Sequence, residues 1–262
     1  MVQASPSVAS AAKILKLLTR YRTARASLTD IAVELQLPKS TCSRILKSLV
    51  AENILSYDHM TRLYSLGPYA IIIGARAEEN VDYMAPVRLA LHELAEATGL
   101  TAAWIERVEP DRLMYIAKAE GTADTHVSIS VGNRFPLTKV SWGMWVVAFA
   151  DTHERAAILA HGLPKVSETN ITDLHEYLRQ ADLIRETRIL TTCSDYMPGI
   201  WAASAPLLSH DQHLVGILAI IGLADVVTEE QRESYSDTIR DTGLRTVIHR
   251  SNARLTAGGL SG

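Results

Sequence analysis

A run of hydroxyl-bearing and cationic side chains near residue 40 offers the clearest chemistry in the sequence. Wound as a helix at about 100° per residue, it places Ser40, Ser43, Arg44 and Lys47 on one stripe, with Lys39 near the start. No carboxylate follows until residue 52, although a helix that only needs solubility usually mixes both charge signs. Such a stripe can donate hydrogen bonds to a polyanion. An ordinary amphipathic helix with a basic face by chance is the alternative. The opposite stripe is apolar and predicts a buried face of Cys42, Ile45, Leu46, Leu49 and Val50.

The charge of the chain is unevenly distributed along its 262 residues. Residues 1–66 carry nine Lys or Arg against four Asp or Glu, while the remainder carries 17 against 25. Basic and acidic halves indicate two domains with different partners, and the basic one is the candidate for binding a polyanion.

Composition argues against a membrane or secreted protein. The chain is 47% hydrophobic, and no run approaches the roughly 18 apolar residues that a membrane span needs. The first ten residues lack a basic region followed by an apolar one, so we expect no secretion signal. Two cysteines, Cys42 and Cys193, fit a reducing cytoplasm, and we expect both to be buried thiols. We therefore expect a cytoplasmic protein with no membrane partner.

The elements around the basic stripe predict a winged helix-turn-helix. A first helix would bury Val8, Ala11, Ile14, Leu15 and Leu18. A short second helix would be capped by Thr29, and Pro38 suits the first turn of the third. Two helices joined so tightly must cross steeply, which turns the second one outward toward a DNA major groove. Asn53 can end that helix, and runs at 54–57 and 62–66 predict a hairpin. The predicted DNA contacts are Pro38, Lys39, Ser40, Thr41, Ser43, Arg44, Lys47 and, on the wing, Arg62.

The stretch "LTDIAVELQLPKSTCSRILKSLVAENILSYD", followed by "YSLG", resembles the N-terminal domain of the IclR family of bacterial transcriptional regulators. Asn53 stands where the family usually has glycine, and asparagine is the next best residue for a positive φ. The resemblance implies a regulator that binds a palindromic operator as a dimer or tetramer. It also implies that residues 68–81 form a linker helix whose apolar run 70–73 packs against a second subunit. A core helix is the alternative for that run.

The second half is similar to the effector-binding domain of the same family, which has a GAF-like fold. The pattern predicts an α+β fold, with strands at 101–108, 113–120, 126–131, 200–209 and 213–223 and helices around them. The expected domains are a winged helix-turn-helix at 1–67, a linker helix at 68–81, an effector domain at 82–250 and a flexible tail at 251–262.

The resemblance also implies a pocket for a small organic acid, with one wall formed by residues 132–145 and the opposite wall by the final strand pair and the loop before it, at 195–206 and 217–222. The implied ligand contacts are Leu137, Thr138, Val140, Ser141, Trp142, Gly143, Ile200, Ala202, Ser204, Ala219 and Ile221. A helix starting near Ser141 would aim the free N–H groups of Trp142, Gly143 and Met144 at a carboxylate, so that no cofactor or cationic side chain is required.

Departures from the family pattern indicate an apolar pocket. Ala202 stands where cysteine is common, and Ala219 and Ile221 stand where relatives for small hydrophilic acids present serines. Trp142 and Trp145 replace small residues in the wall helix. Apolar walls with rings favour an aromatic or other hydrophobic carboxylate. If the two tryptophans instead fill the volume, a small α-keto acid such as glyoxylate or pyruvate is the alternative.

Enzyme chemistry is not predicted. The sequence has no nucleophile elbow, dinucleotide fingerprint or P-loop, and its cysteines lack zinc-ligand spacing. His210, Asp211 and His213 could hold a metal, but turn residues of this kind are usually solvated, so we expect none. An enzyme fused to a DNA-binding domain remains the competing class. The sequence leaves open the effector, the operator, the oligomeric state, and whether the protein activates or represses.

Overall fold

The computed structural model describes residues 5–79, 83–160, 162–246 and 248, and its chain divides into two units, 1–81 and 82–262. Helices and strands alternate in both units, which is the mixed fold expected from the sequence. The tail predicted at 251–262 lies outside the described residues.

The first unit is a winged helix-turn-helix. Its elements are α1 (Pro6–Leu18), a 3-10 turn (Tyr21–Thr23), β1 (Ala26–Ser27), α2 (Leu28–Glu34), α3 (Lys39–Ala51), β2 (Leu55–Asp58), β3 (Leu63–Leu66) and α4 (Pro68–Glu79). The strands form an antiparallel sheet of order β1-β3-β2. Its core joins the three helices to the sheet through Ile14, Leu17, Leu18, Ile31, Cys42, Leu46, Leu55 and Tyr64.

Local details of this unit differ from the predictions. Val8 is 68% exposed, because the buried face of α1 is formed by Ile14, Leu17 and Leu18 and does not include Val8. The cap of α2 is Ser27 rather than Thr29: the Ser27 Oγ accepts the Asp30 N–H at 3.2 Å, and the Asp30 carboxylate accepts the Ser27 N–H at 3.2 Å. Pro38 lies one residue before α3 with extended backbone angles. Asn53 adopts the predicted left-handed conformation, with φ at 56°.

The linker helix α4 presents apolar side chains to solvent. Ile71 is 75% exposed, and about half of Tyr69, Ile72 and Ile73 is exposed. Its alternative interpretation as a core helix of this chain is wrong, because none of its described residues is buried.

The second unit is built on a six-stranded antiparallel sheet of order β6-β5-β4-β9-β8-β7. The strands are β4 (Thr101–Glu109), β5 (Arg112–Ala119), β6 (Arg134–Pro136), β7 (Leu190–Cys193), β8 (Ile200–Leu208) and β9 (Leu214–Leu223). The helices are α5 (Met84–Thr98), α6 (Gly143–Phe149), α7 (Thr152–Leu159), α8 (Leu174–Thr187) and α9 (Glu229–Arg245). Helix α5 ends as predicted at Gly99, whose φ of 71° is a conformation that glycine adopts without strain.

Helices cover both faces of this sheet. On β8, Ser204 accepts a hydrogen bond from Trp145 of α6, whereas the next residue, Ala205, packs against Gly243 of α9. Neighbouring side chains of a strand point to opposite faces, so α6 and α9 lie on opposite sides of the sheet. Helix α8 packs on α6, and α5 packs on α9.

Two strand predictions fail in this unit. Residues 126–131 form no strand; the segment is tied to β5 by the Lys118 Nζ, which donates to the Ile129 carbonyl at 2.6 Å. The strand beside β5 is the short β6. The edge strand β7 was not predicted. Among the described residues, no helix is both long and apolar enough to cross a membrane.

Candidate functional site

The outer stripe of α3 forms an exposed cationic surface, named here the recognition face: Lys39, Ser40, Ser43, Arg44 and Lys47. Lys39, Ser40, Arg44 and Lys47 are exposed, whereas Ser43 and Thr41 are partly buried. Among the described residues, Lys39, Arg44 and Lys47 have no carboxylate within ion-pair distance. Two other arginines of this unit are paired: Arg20 with Glu34 at 3.2 Å and Arg25 with Asp58 at 3.3 Å. The cations of the recognition face are therefore available to an external anion.

The wing adds another exposed cation. Asp58 accepts the N–H groups of Met60 and Thr61 at 2.9 and 3.3 Å and so shapes the turn between β2 and β3. A side-chain hydrogen bond from Thr61, followed by the two backbone hydrogen bonds, lowers the pKa of Asp58. Arg62 follows with φ at 59° and an exposed side chain. The turn thus holds Arg62 at the wing, where the sequence predicted a phosphate contact.

The second unit contains a cavity of about 290 Å³ walled by aromatic rings, named here the aromatic cavity. It is lined by Tyr115, Val127, Ser128, Ile129, Ser130, Asn133, Phe135, Val140, Ser141, Trp142, Thr192, Asp195, Tyr196, Met197, Ile200, Ala202 and Ile221. Tyr115, Phe135 and Trp142 form a three-ring cluster with centroids 5.1 to 5.8 Å apart. Ala202 and Ile221 are direct partners across β8 and β9.

The two tryptophans near α6 have different positions. Trp142 lines the aromatic cavity and is only partly buried. Trp145 is 0% exposed in the core, and its indole N–H donates to the Ser204 hydroxyl at 2.9 Å. Trp142 precedes the helix whereas Trp145 lies within it, so a spacing of three residues does not put them on one face.

Six of the eleven predicted ligand contacts line this cavity: Val140, Ser141, Trp142, Ile200, Ala202 and Ile221. The structure does not bring the other five to it, namely Leu137, Thr138, Gly143, Ser204 and Ala219. Leu137, Ser204 and Ala219 are packed in the core, where Ser204 is paired with Ala219 across β8 and β9. Thr138 lies in the 3-10 turn of Leu137–Lys139.

Two of the three N–H groups that we predicted to be free at the start of α6 are already hydrogen-bonded. The Gly143 N–H donates to the Val140 carbonyl at 3.0 Å, and the Met144 N–H donates to the Ser141 carbonyl at 2.9 Å. Gly143 is also packed tightly, since a Cβ at this residue would lie 1.9 Å from the Leu137 carbonyl oxygen. The N–H groups of Gly143 and Met144 are therefore not free to bind an anion.

The polar side of the aromatic cavity consists of hydroxyl groups, an amide and one carboxyl. No Lys, Arg or His is among the described lining residues. Burial raises the pKa of Asp195 to about 6. Burial also raises the pKa of the Tyr115 phenol, with a smaller effect from nearby Tyr196, so Tyr115 remains a hydrogen-bond donor.

Comparison with known proteins decides the family. Residues 7–59 match the IclR helix-turn-helix domain, and residues 76–246 match the C-terminal domain described as bacterial transcriptional regulator IclR C-terminal. The chain belongs to the IclR family. It is therefore a transcriptional regulator with a DNA-binding helix-turn-helix domain, rather than an enzyme.

Solved and curated IclR proteins extend this similarity over nearly the whole chain. An IclR transcriptional regulator from Alicyclobacillus acidocaldarius is 34% identical, with a TM-score of 0.87, over 93% of this chain and 98% of that one. The HTH-type transcriptional regulator KipR of Bacillus subtilis is 22% identical over 84% of this chain and 87% of its own. An IclR homolog from Microbacterium hydrocarbonoxydans, solved with 4-hydroxybenzoate, shares the fold at 16% identity and a TM-score of 0.77, over 91% of this chain and 96% of that one.

Sequence reasoning missed much of this cavity. Asn133 and Phe135 lie in the stretch 132–145 predicted as one wall but were not singled out, whereas Tyr115, Thr192 and the segment 127–130 come from parts of the chain that were not assigned to a wall. Asp195, Tyr196 and Met197 lie in the loop before β8 that the family resemblance placed in one wall, but they were not singled out.

The other reactive residues behave as follows. Cys42 is buried as predicted, and burial raises the pKa of its thiol. The prediction for Cys193 is wrong: it is exposed, because it lies on the edge strand β7. His210 and Asp211 are exposed in the turn before β9, and no group of three or more His, Cys, Asp or Glu among the described residues could hold a metal ion.

Proposed function

We propose that this regulator binds a palindromic operator through the recognition face and the wing, and that a small hydrophobic acid in the aromatic cavity controls the binding. One observation carries the DNA-binding part: the exposed cations Lys39, Arg44, Lys47 and Arg62 have no acidic partner among the described residues. In the helix-turn-helix geometry, Arg44 would reach base edges while Lys39, Lys47 and Arg62 contact phosphates. Such a protein would act in the bacterial cytoplasm, at the nucleoid.

Fluorescence anisotropy of the full chain on a labelled duplex from the region upstream of its own gene tests the DNA-binding part. We expect unlabelled duplex of the same sequence to compete at least a thousandfold better than a scrambled duplex of equal length. Equal competition by the two duplexes would contradict operator recognition. The full chain is then titrated with effector candidates on the same duplex, and a shift in affinity is expected for the one that fills the cavity.

Self-association through α4 is part of the proposal. A palindromic operator presents two half-sites, so the protein that binds it must present two recognition helices at a fixed spacing, as a dimer does. The exposed apolar side chains of α4 would be covered by the same helix of a second copy. Light scattering of Ile71→Glu should report a lower mass than wild type. Val33→Glu, which alters an exposed apolar residue of α2, should leave the mass unchanged; a wild-type mass for both variants would contradict the α4 interface.

The shape and lining of the aromatic cavity support a flat, hydrophobic effector. The cluster of Tyr115, Phe135 and Trp142 favours a ring that packs edge-to-face, and about 290 Å³ lies near the lower end of the ~300–1,000 Å³ range of small-molecule sites. Ala202 and Ile221 provide no hydrogen bonds for a small hydrophilic acid. The 4-hydroxybenzoate in the homolog from Microbacterium hydrocarbonoxydans is an aromatic carboxylate and supports the same class.

The carboxylate of such an effector would be held by neutral donors rather than by a cation. Ser130, Ser141, Asn133 and the hydroxyl groups of Thr192, Tyr115 and Tyr196 are among the donors in the lining. Asp195 would repel the carboxylate once ionised, whereas its protonated form can donate a hydrogen bond to it. Because burial raises the pKa of Asp195 to about 6, the effector should bind more tightly below pH 6 than above it.

Binding would change operator affinity by altering how the two DNA-binding domains of a dimer are placed. Half-sites on DNA have a fixed spacing, so a small rearrangement of the dimer changes affinity substantially. A small α-keto acid remains the alternative effector. It would bind through the hydroxyl groups and would make little use of the three rings.

A further inference from the structure

A second cleft lies at the opposite end of the strands that border the aromatic cavity. The edge strand β7 pairs only with residues 201–204 of β8, so residues 205–208 have no described strand on their outer side, and Ile248 pairs with Ser209 just beyond them. The space beyond the end of β7 is a cleft of about 320 Å³, named here the Arg188 cleft. Its lining includes Arg188, Pro206, Leu208, Ser209, Gln212 and Arg240.

The Arg188 cleft is separate from the aromatic cavity. Ala202 borders the cavity and Leu208 borders the cleft, six residues further along β8. At roughly 3.3 Å per residue, the two lie roughly 20 Å apart. None of the described lining residues is shared between them.

Arg188 is a cation with unused donors. Its Nη2 donates to the Gln212 Oε1 at 3.3 Å, but its Nη1 is buried and has no hydrogen-bond partner among the described residues. No described carboxylate lies within ion-pair distance of this guanidinium, which rests 5.2 Å above the Phe149 ring. Buried polar groups are nearly always hydrogen-bonded, so an unpaired Nη1 indicates a missing acceptor.

The surroundings of Arg188 contain a second guanidinium and a hydroxyl group. Arg240 lines the same cleft and remains partly exposed, although Asp237 and Asp241 lie 2.8 and 3.8 Å from it. The hydroxyl of Ser209 can also donate. Burial, and to a smaller extent the neighbouring Arg185, lowers the pKa of Arg188, as expected for a guanidinium without a counter-ion.

Backbone conformation gives no reason for an arginine at this position. Arg188 ends α8 with φ at 61° and ψ at 22°, in the left-handed region where glycine or asparagine is preferred. Arg62 and Gln212 have the same left-handed conformation elsewhere in the chain.

We propose that the Arg188 cleft is a second ligand site, which binds a small oxyanion through the guanidinium groups of Arg188 and Arg240. The ligand class is a phosphate or a carboxylate, because both present paired oxygen atoms that match a guanidinium. The anion accepts hydrogen bonds from the Arg188 guanidinium and from the exposed part of Arg240. This site would bind a different metabolite from the one that binds in the aromatic cavity.

Titration calorimetry of the full chain with inorganic phosphate, at ionic strength held constant with chloride, tests this site. We expect saturable binding that weakens at least tenfold in Arg188→Gly and in Arg240→Gln. Arg188→Gly should fold well, because glycine suits the left-handed position, and should melt at or above the wild-type temperature in phosphate-free buffer. Arg179→Gln, which removes an exposed arginine of α8, should bind phosphate like wild type.

Acetate in a parallel titration identifies the chemistry of the ligand. If only phosphate binds saturably, the ligand carries a phosphate group. If only acetate does, the ligand carries a carboxylate. If both bind, the site accepts an oxyanion of either kind. No saturable binding beyond that of chloride would overturn the proposal, as would binding that persists in both cleft variants. Quenching of Trp142 by an aromatic acid should be unchanged in Arg188→Gly, so failure of either site is distinguishable from failure of the other.

Discussion

The recognition face and the aromatic cavity solve two binding problems with contrasting chemistry. The first exposes Lys39, Arg44 and Lys47 without acidic partners among the described residues. The second has no cation in its described lining and encloses a ring cluster beside a single carboxyl, Asp195. Exposed charges act over distance and are screened by salt, whereas an apolar cavity acts by removing surface from water and by shape. It follows that a substitution can weaken DNA binding without weakening effector binding, and the reverse.

The largest expected effect comes from Gly143→Ala, which tests the wall of the aromatic cavity. The added Cβ would lie 1.9 Å from the Leu137 backbone oxygen, and no rotamer change relieves a backbone clash. We expect a loss of about 3 kcal/mol in the free energy of unfolding, measured by urea denaturation, together with loss of effector binding. Gly74→Ala is the matched control, because nothing lies within 4 Å of its added Cβ. Equal stability of the two variants would show that the wall is not tight.

Arg44→Ala is expected to weaken operator binding by about 1–3 kcal/mol while effector binding and the melting temperature stay unchanged. The reason is that truncating an arginine that contacts a base edge removes the hydrogen bonds by which the protein distinguishes the correct base pair from others. Anisotropy on operator and scrambled duplexes measures the effect. Arg22→Ala removes the same charge outside α3 and should have a smaller effect on the ratio of the two affinities. If Arg44→Ala weakened both duplexes alike, Arg44 would be a phosphate contact instead.

Asp195→Asn tests the charged side of the cavity. The folded state holds a proton on Asp195 up to a pH of about 6, while the unfolded chain releases it near pH 4. Stability from this group is therefore present below pH 4 and is lost as the pH rises to 6. Since Asp195 keeps some solvent contact, the loss should be on the order of 1 kcal/mol. Thermal melts between pH 4 and 7 measure this effect: the stability of wild type relative to Asp195→Asn should fall as the pH rises. Asp124→Asn is the control, and it should keep the pH dependence of wild type.

Lys47→Ala should have the smallest effect and the most diagnostic salt dependence. A phosphate contact releases about one counterion, so the slope of log affinity against log salt should fall by about 0.9. Both duplexes should be weakened equally. Lys13→Ala, on α1, is the control for general charge. A slope that does not change would remove Lys47 from the phosphate contacts.

The recognition face could be predicted because its pattern is local. The spacing of Cys42, Ile45 and Leu46 fixes which side of α3 is buried, and the outer stripe follows from it. Even here, neighbouring hydroxyl residues left the cap ambiguous, and Ser27 rather than Thr29 fills it. The mixed fold of the second unit was also predictable, because its long strands and capped helices have strong periodicity.

The aromatic cavity was only partly predictable, because its lining depends on long-range pairing. The segment 127–130 has a strand-like sequence, yet it forms no strand and becomes a wall instead. Tyr115 faces Trp142 only because β5 pairs with β6, which carries Phe135. The orientation of Asp195 depends on a loop with no periodicity. No sequence pattern distinguishes Trp142 from Trp145, and the helix boundary between them decides their roles.

The most direct test of the account is a tryptophan fluorescence titration of the full chain with aromatic acids, such as 4-hydroxybenzoate, and with glyoxylate and pyruvate. We predict saturable quenching by aromatic acids that is largely lost in Trp142→Phe. It should persist in Trp201→Phe, because Trp201 packs against Tyr235 of α9 on the other face of the sheet. A response only to the small keto acids, or one undiminished in Trp142→Phe, would contradict an aromatic effector in this cavity.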